Sequence, residues 1–293
     1  MMIRLALFAL LILALPFAGH WLADNETAWA YSELTSQSLM PILAALAAVL
    51  ALLIAVEFGG NRQRSLLKLQ RSYFLALSGA GAVNGWLLLY LNRYAESWLV
   101  PGMLDVTGML ALTLLFALLL PAVLGLRTLL ASVPGILQRL ARLPALPAPS
   151  GSHSVNVLAP LALLGLIGGA AWPDTLFWLL WASPLLLLVG LQLMWHERSI
   201  FAELATGDWG RVLCAVLSGL LVCNMAVLAF RLGGGTLIVQ VPNAAFVQLG
   251  YALFGLLSLQ LGDVIAEFWR GKTRGEVFKR KSFPIPVVTK KDQ

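Results

Sequence analysis

Four pairs of polar residues recur in this chain at a single spacing. Glu57 and Glu197, Arg71 and Arg211, Ser78 and Ser218, and Asn84 and Asn224 each stand 140 positions apart, with no gap between the two frames. The match centres on Leu77-Ser78-Gly79, running on to Asn84, and Leu217-Ser218-Gly219, running on to Asn224. Leu-to-Leu matches carry little weight in a Leu-rich chain, so the duplication rests on these polar types. A Glu at a membrane boundary can accept a proton or hold a partner's cation, and an Arg can pair with it. Ser and Asn inside an apolar helix hydrogen-bond either a neighbouring helix or a solute, each bond contributing about 0.6–2 kcal/mol. Glu57 with Arg71, and Glu197 with Arg211, thus read either as brackets of a cytoplasmic hairpin or as a proton or partner site.

The other groups able to do chemistry are few. The three histidines are His20, His153 and His196, and no two share a helix at ligand spacing. Paired axial imidazoles for a haem b are therefore not expected. His20 near Asp24 and His196 beside Glu197 fall at opposite faces of the membrane, where an imidazole exchanges a proton with a quinone head group or is simply solvated. Cys214 and Cys223 lie about 13 Å apart along one predicted helix, too far to bridge. No nucleophile elbow, zinc-protease motif, phosphate loop or dinucleotide fingerprint is present. No metal site is expected.

These residues sit in an unusually apolar chain. Of 293 residues, 59% are hydrophobic and 12% charged, against roughly 45–50% and 25% in soluble domains. Apolar runs recur along the whole length, each long enough to cross ~30 Å of hydrocarbon as a helix. The composition predicts an all-α integral membrane protein of about eight transmembrane helices. The expected spans are 3–18, 39–56, 72–91, 106–126, 155–171, 176–195, 212–230 and 244–266. The first reads as a retained helix rather than a cleaved leader. Two small-residue stripes, Gly81 with Gly85 and Gly165 with Gly169, mark faces where another helix can approach closely. Asn84 falls near mid-depth and calls for a partner.

The runs divide into two parallel-repeat four-helix halves, residues 1–130 and 155–268. Between them, 131–154 reads as a cytoplasmic linker with a short amphipathic helix, and 269–293 as a basic tail. The segment 196–211 is expected to lie as a surface helix along the same face. With the N-terminus inside, eighteen Lys and Arg fall on the cytoplasmic side and two outside. That asymmetry predicts a bacterial-type inner membrane protein with both termini cytoplasmic. All 34 formal charges can be placed in loops or at helix ends. A proton pump usually keeps one in mid-membrane. The net charge of +6 is thus a topology signal rather than a nucleic-acid footprint.

Arg270, Lys272, Arg274, Lys279, Arg280 and Lys281 follow the last helix, where each cation gains about 1 kcal/mol near an anionic leaflet. They read as a lipid or partner docking site, with the strip from Phe283 to Val288 beyond them. In architecture the chain resembles the polysulfide-reductase and dimethyl-sulfoxide-reductase type of membrane anchor. That resemblance implies two four-helix bundles, a quinone contact, and iron–sulfur and molybdenum partner subunits. The leading expectation is a non-catalytic anchor subunit of a larger complex, with quinone as the one cofactor to consider and lipids and protein subunits as partners. The alternatives are a transporter or channel for a small or lipid-like solute, with Asn84 and Asn224 on its path, and a lipid-modifying enzyme using Glu57 or Glu197.

Overall fold

In lipid no water is available to satisfy the backbone, so each apolar run must close its hydrogen bonds within itself as a helix. The computed structural model describes residues 2–22, 39–59, 71–101, 104–133, 135, 140, 143–149, 151–195 and 197–270. Its long helices are α1 (Met2–Leu22), α2 (Met40–Gly59), α3 (Arg71–Ala95), α4 (Val106–Leu130), α5 (Gly151–Ala171), α6 (Pro173–Met194), α7 (Gly210–Leu232) and α8 (Ala244–Arg270). All eight are long and apolar enough to span a membrane. The chain is a polytopic membrane protein.

Several helices outrun the hydropathy boundaries. The third, fourth and eighth extend about one turn past the expected ends, through Arg93, Arg127 and Arg270. Hydropathy falls at the first charge, but the backbone ladder continues into the headgroup region. Local chemistry sets the other ends. The Asp105 carboxylate accepts from the Gly108 amide at 2.7 Å and caps α4, and Pro173 opens α6 one residue after α5 closes.

The helices do not segregate into two separate bundles. α1 packs chiefly on α5, and α2 packs on α4 and α7. One core joins Ile12, Leu77, Leu120, Leu166, Leu180 and Leu259 across six helices. A second joins Val49 and Leu53 of α2 to Val123 of α4 and Val222 of α7.

Both small-residue stripes lie in close contacts. A Cβ on Gly81 would stand 2.8 Å from the Phe116 carbonyl oxygen of α4, and one on Gly169 would stand 2.7 Å from Leu180 Cβ of α6. A third contact was not expected: Gly219 of α7 meets Gly255 of α8, where a Cβ on Gly219 would lie 2.6 Å from Gly255 Cα.

The two ends of the barrel of helices differ. At one, β1 (Trp98–Leu99) and β2 (Ile238–Val239) form an antiparallel ribbon tying the α3–α4 connection to the α7–α8 connection. At the other, the linker lies on the α6–α7 connection through Leu146 N to Leu204 O at 3.0 Å and Trp209 Nε1 to Pro144 O at 2.9 Å. The segment expected as a surface helix is irregular, with one 3₁₀ turn at Ala202–Thr206 closed by Gly207 at φ 79°. Ile200 and Leu204 are buried, so it tucks inward instead of lying flat. The amphipathic helix expected in the linker falls mostly on residues outside those described.

The repeated glycines make a direct test of packing. Gly219→Ala should destabilise the protein by about 1–3 kcal/mol, as overpacking does, whereas Gly79→Ala should not, since nothing lies within 4 Å of its would-be Cβ. Thermal unfolding of the two variants in detergent checks this.

Candidate functional site

Toward the ribbon, α3, α4, α6, α7 and α8 spread apart around a chamber of about 1160 Å³. Pockets for drug-sized ligands run to roughly 300–1,000 Å³, and this one lies just above that range. Its floor holds Gly85, Leu185 and Leu257, and its walls include Phe116, Val227 and Phe254. Along α8 the lining spans twelve residues, from Phe246 to Leu257, or about 16 Å of helix. That is about half of the ~30 Å hydrocarbon thickness.

The mouth is framed by a polar and aromatic lattice. Asn92, at the end of α3, donates from Nδ2 to the Trp98 carbonyl at 2.6 Å and accepts from the Trp98 amide at 3.3 Å, fixing the ribbon. Trp181 Nε1 on α6 donates to Ser97 Oγ at 2.9 Å, and the Trp98 and Trp181 rings stack with centroids 6.3 Å apart. Ser97 O accepts from the Gln240 amide at 2.9 Å. Arg93 and Glu96 lie on the same rim. Glu96 follows α3 in the left-handed region at φ 44°, where Gly or Asn is the usual choice.

The repeated polar pairs do not share environments. Asn84 is 4% exposed, and its Nδ2 has no partner among the described residues. Asn224 is exposed on the outer surface, where it exchanges two hydrogen bonds with Gln248 of α8, at 2.7 and 3.0 Å. Ser218 donates to the Cys214 carbonyl at 2.7 Å, whereas Ser78 Oγ is buried without a partner. Leu77 is fully buried and Leu217 is 44% exposed. The inward face of α7 is thus rotated by about one residue relative to α3.

The repeated charges sit near the linker end. Arg211 pairs with Asp263 of α8, five residues before the end of that helix's apolar span. Neither carboxylate nor guanidinium is stranded at mid-depth. Glu57 is half-buried at the end of α2, Arg71 opens α3 in an exposed position, and the half-buried Glu197 sends its amide to Gln192 O at 3.0 Å. Beside them the Gln192 and Gln260 amides bond each other, and Gln260 also accepts from the Ile200 amide at 3.4 Å.

His20 lies instead toward the ribbon end, its ring 5.7 Å from Tyr94, which donates to Tyr90 at 2.7 Å. It lines no part of the chamber. His196 and the tail residues Lys272, Arg274, Lys279, Arg280 and Lys281 lie outside the described residues, as does the side chain of Arg270. Among the described residues no three of His, Cys, Asp and Glu gather as a metal site would require.

Sequence reading missed the chamber and its rim. A usable signal was there: Trp86 and Asn92 lie in the half of α3, and Trp178 and Trp181 in the half of α6, nearer the connection that holds Trp98. Comparison with protein families, with curated proteins and with solved structures finds no match for this chain.

The Arg211–Asp263 pair is partly buried, at 18% and 21% exposure. Asp263→Ala should therefore cost more than the ~0–1 kcal/mol of an exposed pair and less than the ~3–5 kcal/mol of a buried one. Exchanging the two residues, Arg211→Asp with Asp263→Arg, should recover part of that loss in the same detergent unfolding assay.

Proposed function

We propose that this chain is an inner-membrane transporter for a lipid-like solute, with the chamber as its binding site. The single observation that carries the reading is an apolar space of about 1160 Å³ opening at one end of the helices and closed off from the other. The linker end is held shut by Arg211–Asp263, by Gln192–Gln260, and by Tyr73 donating to Gly262 O at 3.1 Å. Lys and Arg counts put the linker end in the cytoplasm, which turns the chamber toward the outer leaflet. An isoprenoid quinone and a phospholipid both have the apolar bulk to fill it.

The test is movement of a tail-labelled fluorescent phospholipid across proteoliposome bilayers. Val227 is half-buried on the chamber wall, so Val227→Trp should narrow the chamber and lower the rate toward that of protein-free vesicles. Equal rates with and without the wild-type chain would sink the reading.

A second reading, the non-catalytic anchor subunit of a larger complex, is favoured by the closed, cross-linked linker end together with the basic tail beyond α8. Soluble subunits should then copurify in mild detergent and be lost when residues 271–293 are removed. A lone, monodisperse chain is the opposite outcome.

A further inference from the structure

The ribbon at the chamber mouth is held from one side. β1 is fixed to two helices: Asn92 of α3 bonds both the amide and the carbonyl of Trp98, and Trp181 of α6 bonds Ser97 Oγ and stacks on the Trp98 ring. Ser97 is buried and Trp98 half-buried. Among the described residues β2 has no such anchor in a helix. It is held by its pairing with β1 and by the neighbouring Gln240 amide, which donates to Ser97 O at 2.9 Å. Ile238, Val239 and Gln240 are all exposed.

The two roots of the β2 arm are fixed, and its middle is not. Where α7 ends, Gly233 lies on α2, and a Cβ there would stand 2.9 Å from Pro41 Cα. The next residue, Gly234, sits at φ 88° with nothing within 4 Å of a would-be Cβ, a backbone region that Gly enters without steric cost. At the other root Asn243 Oδ1 accepts from the Ala245 amide at 3.0 Å and opens α8. The stretch 236–242 between them carries no charge, and Leu237, Ile238, Val239 and Val241 line the chamber.

An isolated two-stranded ribbon is marginal on its own, and segments with exposed backbone bonds and few buried contacts open at far lower cost than helix cores. In water, release of the arm would expose four apolar side chains. At a headgroup boundary the same side chains meet lipid, so they do not oppose release.

Resting on the chamber reading, we infer that the β2 arm, residues 233–243, is the gate of the chamber. It turns about Gly234, β1 is the latch that it leaves and rejoins, and the lipid-like solute enters and leaves beneath it. A rigid staple fits less well, because a staple would be anchored in helices on both sides and would not follow three successive glycines.

The experiment locks the latch. Leu99 and Ile238 are Cα partners across the ribbon, and opposed residues of an antiparallel pair stand about 4.5–5.5 Å apart, within the reach of a disulfide. The double variant Leu99→Cys with Ile238→Cys is reconstituted in proteoliposomes, oxidised and then reduced, beside its two single variants. Oxidised, it should move the tail-labelled phospholipid no faster than protein-free vesicles do. Reduction should restore the rate, and the single variants should not respond to oxidant.

If the double variant, shown by mass to be fully cross-linked, moves lipid as fast as its reduced form while Val227→Trp still slows the wild type, the gate is overturned and the chamber reading stands. If the wild type is itself no faster than protein-free vesicles, both fail. Hydrogen exchange adds a readout that needs no transport: in the wild type the amides of residues 238–240 should exchange well before those at the middle of α7 and α8. Exchange as slow as in those helices would also overturn the gate.

Discussion

Close backbone approach at a few glycines decides the shape of this molecule. Hydrocarbon is as apolar as Leu, so burial of apolar surface does not by itself drive one helix onto another in a bilayer. Van der Waals contact between smooth faces does. Gly81 and Gly85 bring α3 against Phe116 of α4, and Gly219 and Gly255 bring α7 against α8. On both helix pairs polar contacts continue past the glycines, from Trp86 Nε1 to Thr113 Oγ1 at 3.1 Å and between Asn224 and Gln248. Beyond Gly85 the α3 residues Leu88, Leu89 and Asn92 face open space, and beyond Gly219 so do Cys223, Ala226 and Val227. The chamber lies beside these contacts, with Gly85 and Phe116 in its lining.

This also explains which parts of the fold were legible in the sequence. Helix number and approximate position follow from hydropathy, because run length against bilayer thickness is a one-dimensional quantity. The stripes at Gly81 with Gly85 and Gly165 with Gly169 were legible because their spacing puts both small residues on one face. The Gly219–Gly255 contact has no paired glycines on either helix, although Ala215, four residues before Gly219, meets Gly255 as well. A cavity is harder still, because it is an absence of contact among ordinary Leu, Val and Phe residues. The repeated Ser-Gly and Asn frame shows a further limit. Gly79 faces open space while Gly219 is pressed on α8, and Asn84 is buried while Asn224 is outside. A shared sequence frame does not impose a shared helix rotation, since rotation is set by the partner helix.

Polar side chains within the helices follow the same division of the molecule. Toward the linker end they join helices directly, through Arg211 and Asp263, Gln192 and Gln260, and Tyr73 and the Gly262 carbonyl. With little water to compete, each such bond is held more firmly than its counterpart on a soluble surface. Toward the ribbon end polar groups also hold connections: Asn92 and Ser97 fix β1, and β1 fixes β2, beside the helix-to-helix bonds of Trp86 with Thr113, Tyr90 with the Leu13 carbonyl and Asn224 with Gln248.

Three orphaned polar groups lie between these regimes. Asn84 Nδ2 and Ser78 Oγ on α3, and Ser258 Oγ on α8, are buried without partners among the described residues. α3 and α8 run antiparallel and meet where Tyr73 reaches Gly262, so Ser258, one turn from Gly262, stands at the level of Leu77 and Ser78. Asn84 lies one turn below Leu88 and two below Asn92, both of which line the chamber. Leaving a buried donor unpaired costs about 1–3 kcal/mol, which an apolar residue of similar size would avoid. A bundle selected only for rigid packing would have no use for these groups beneath the chamber floor. They are placed where the tight half of the molecule meets the open half.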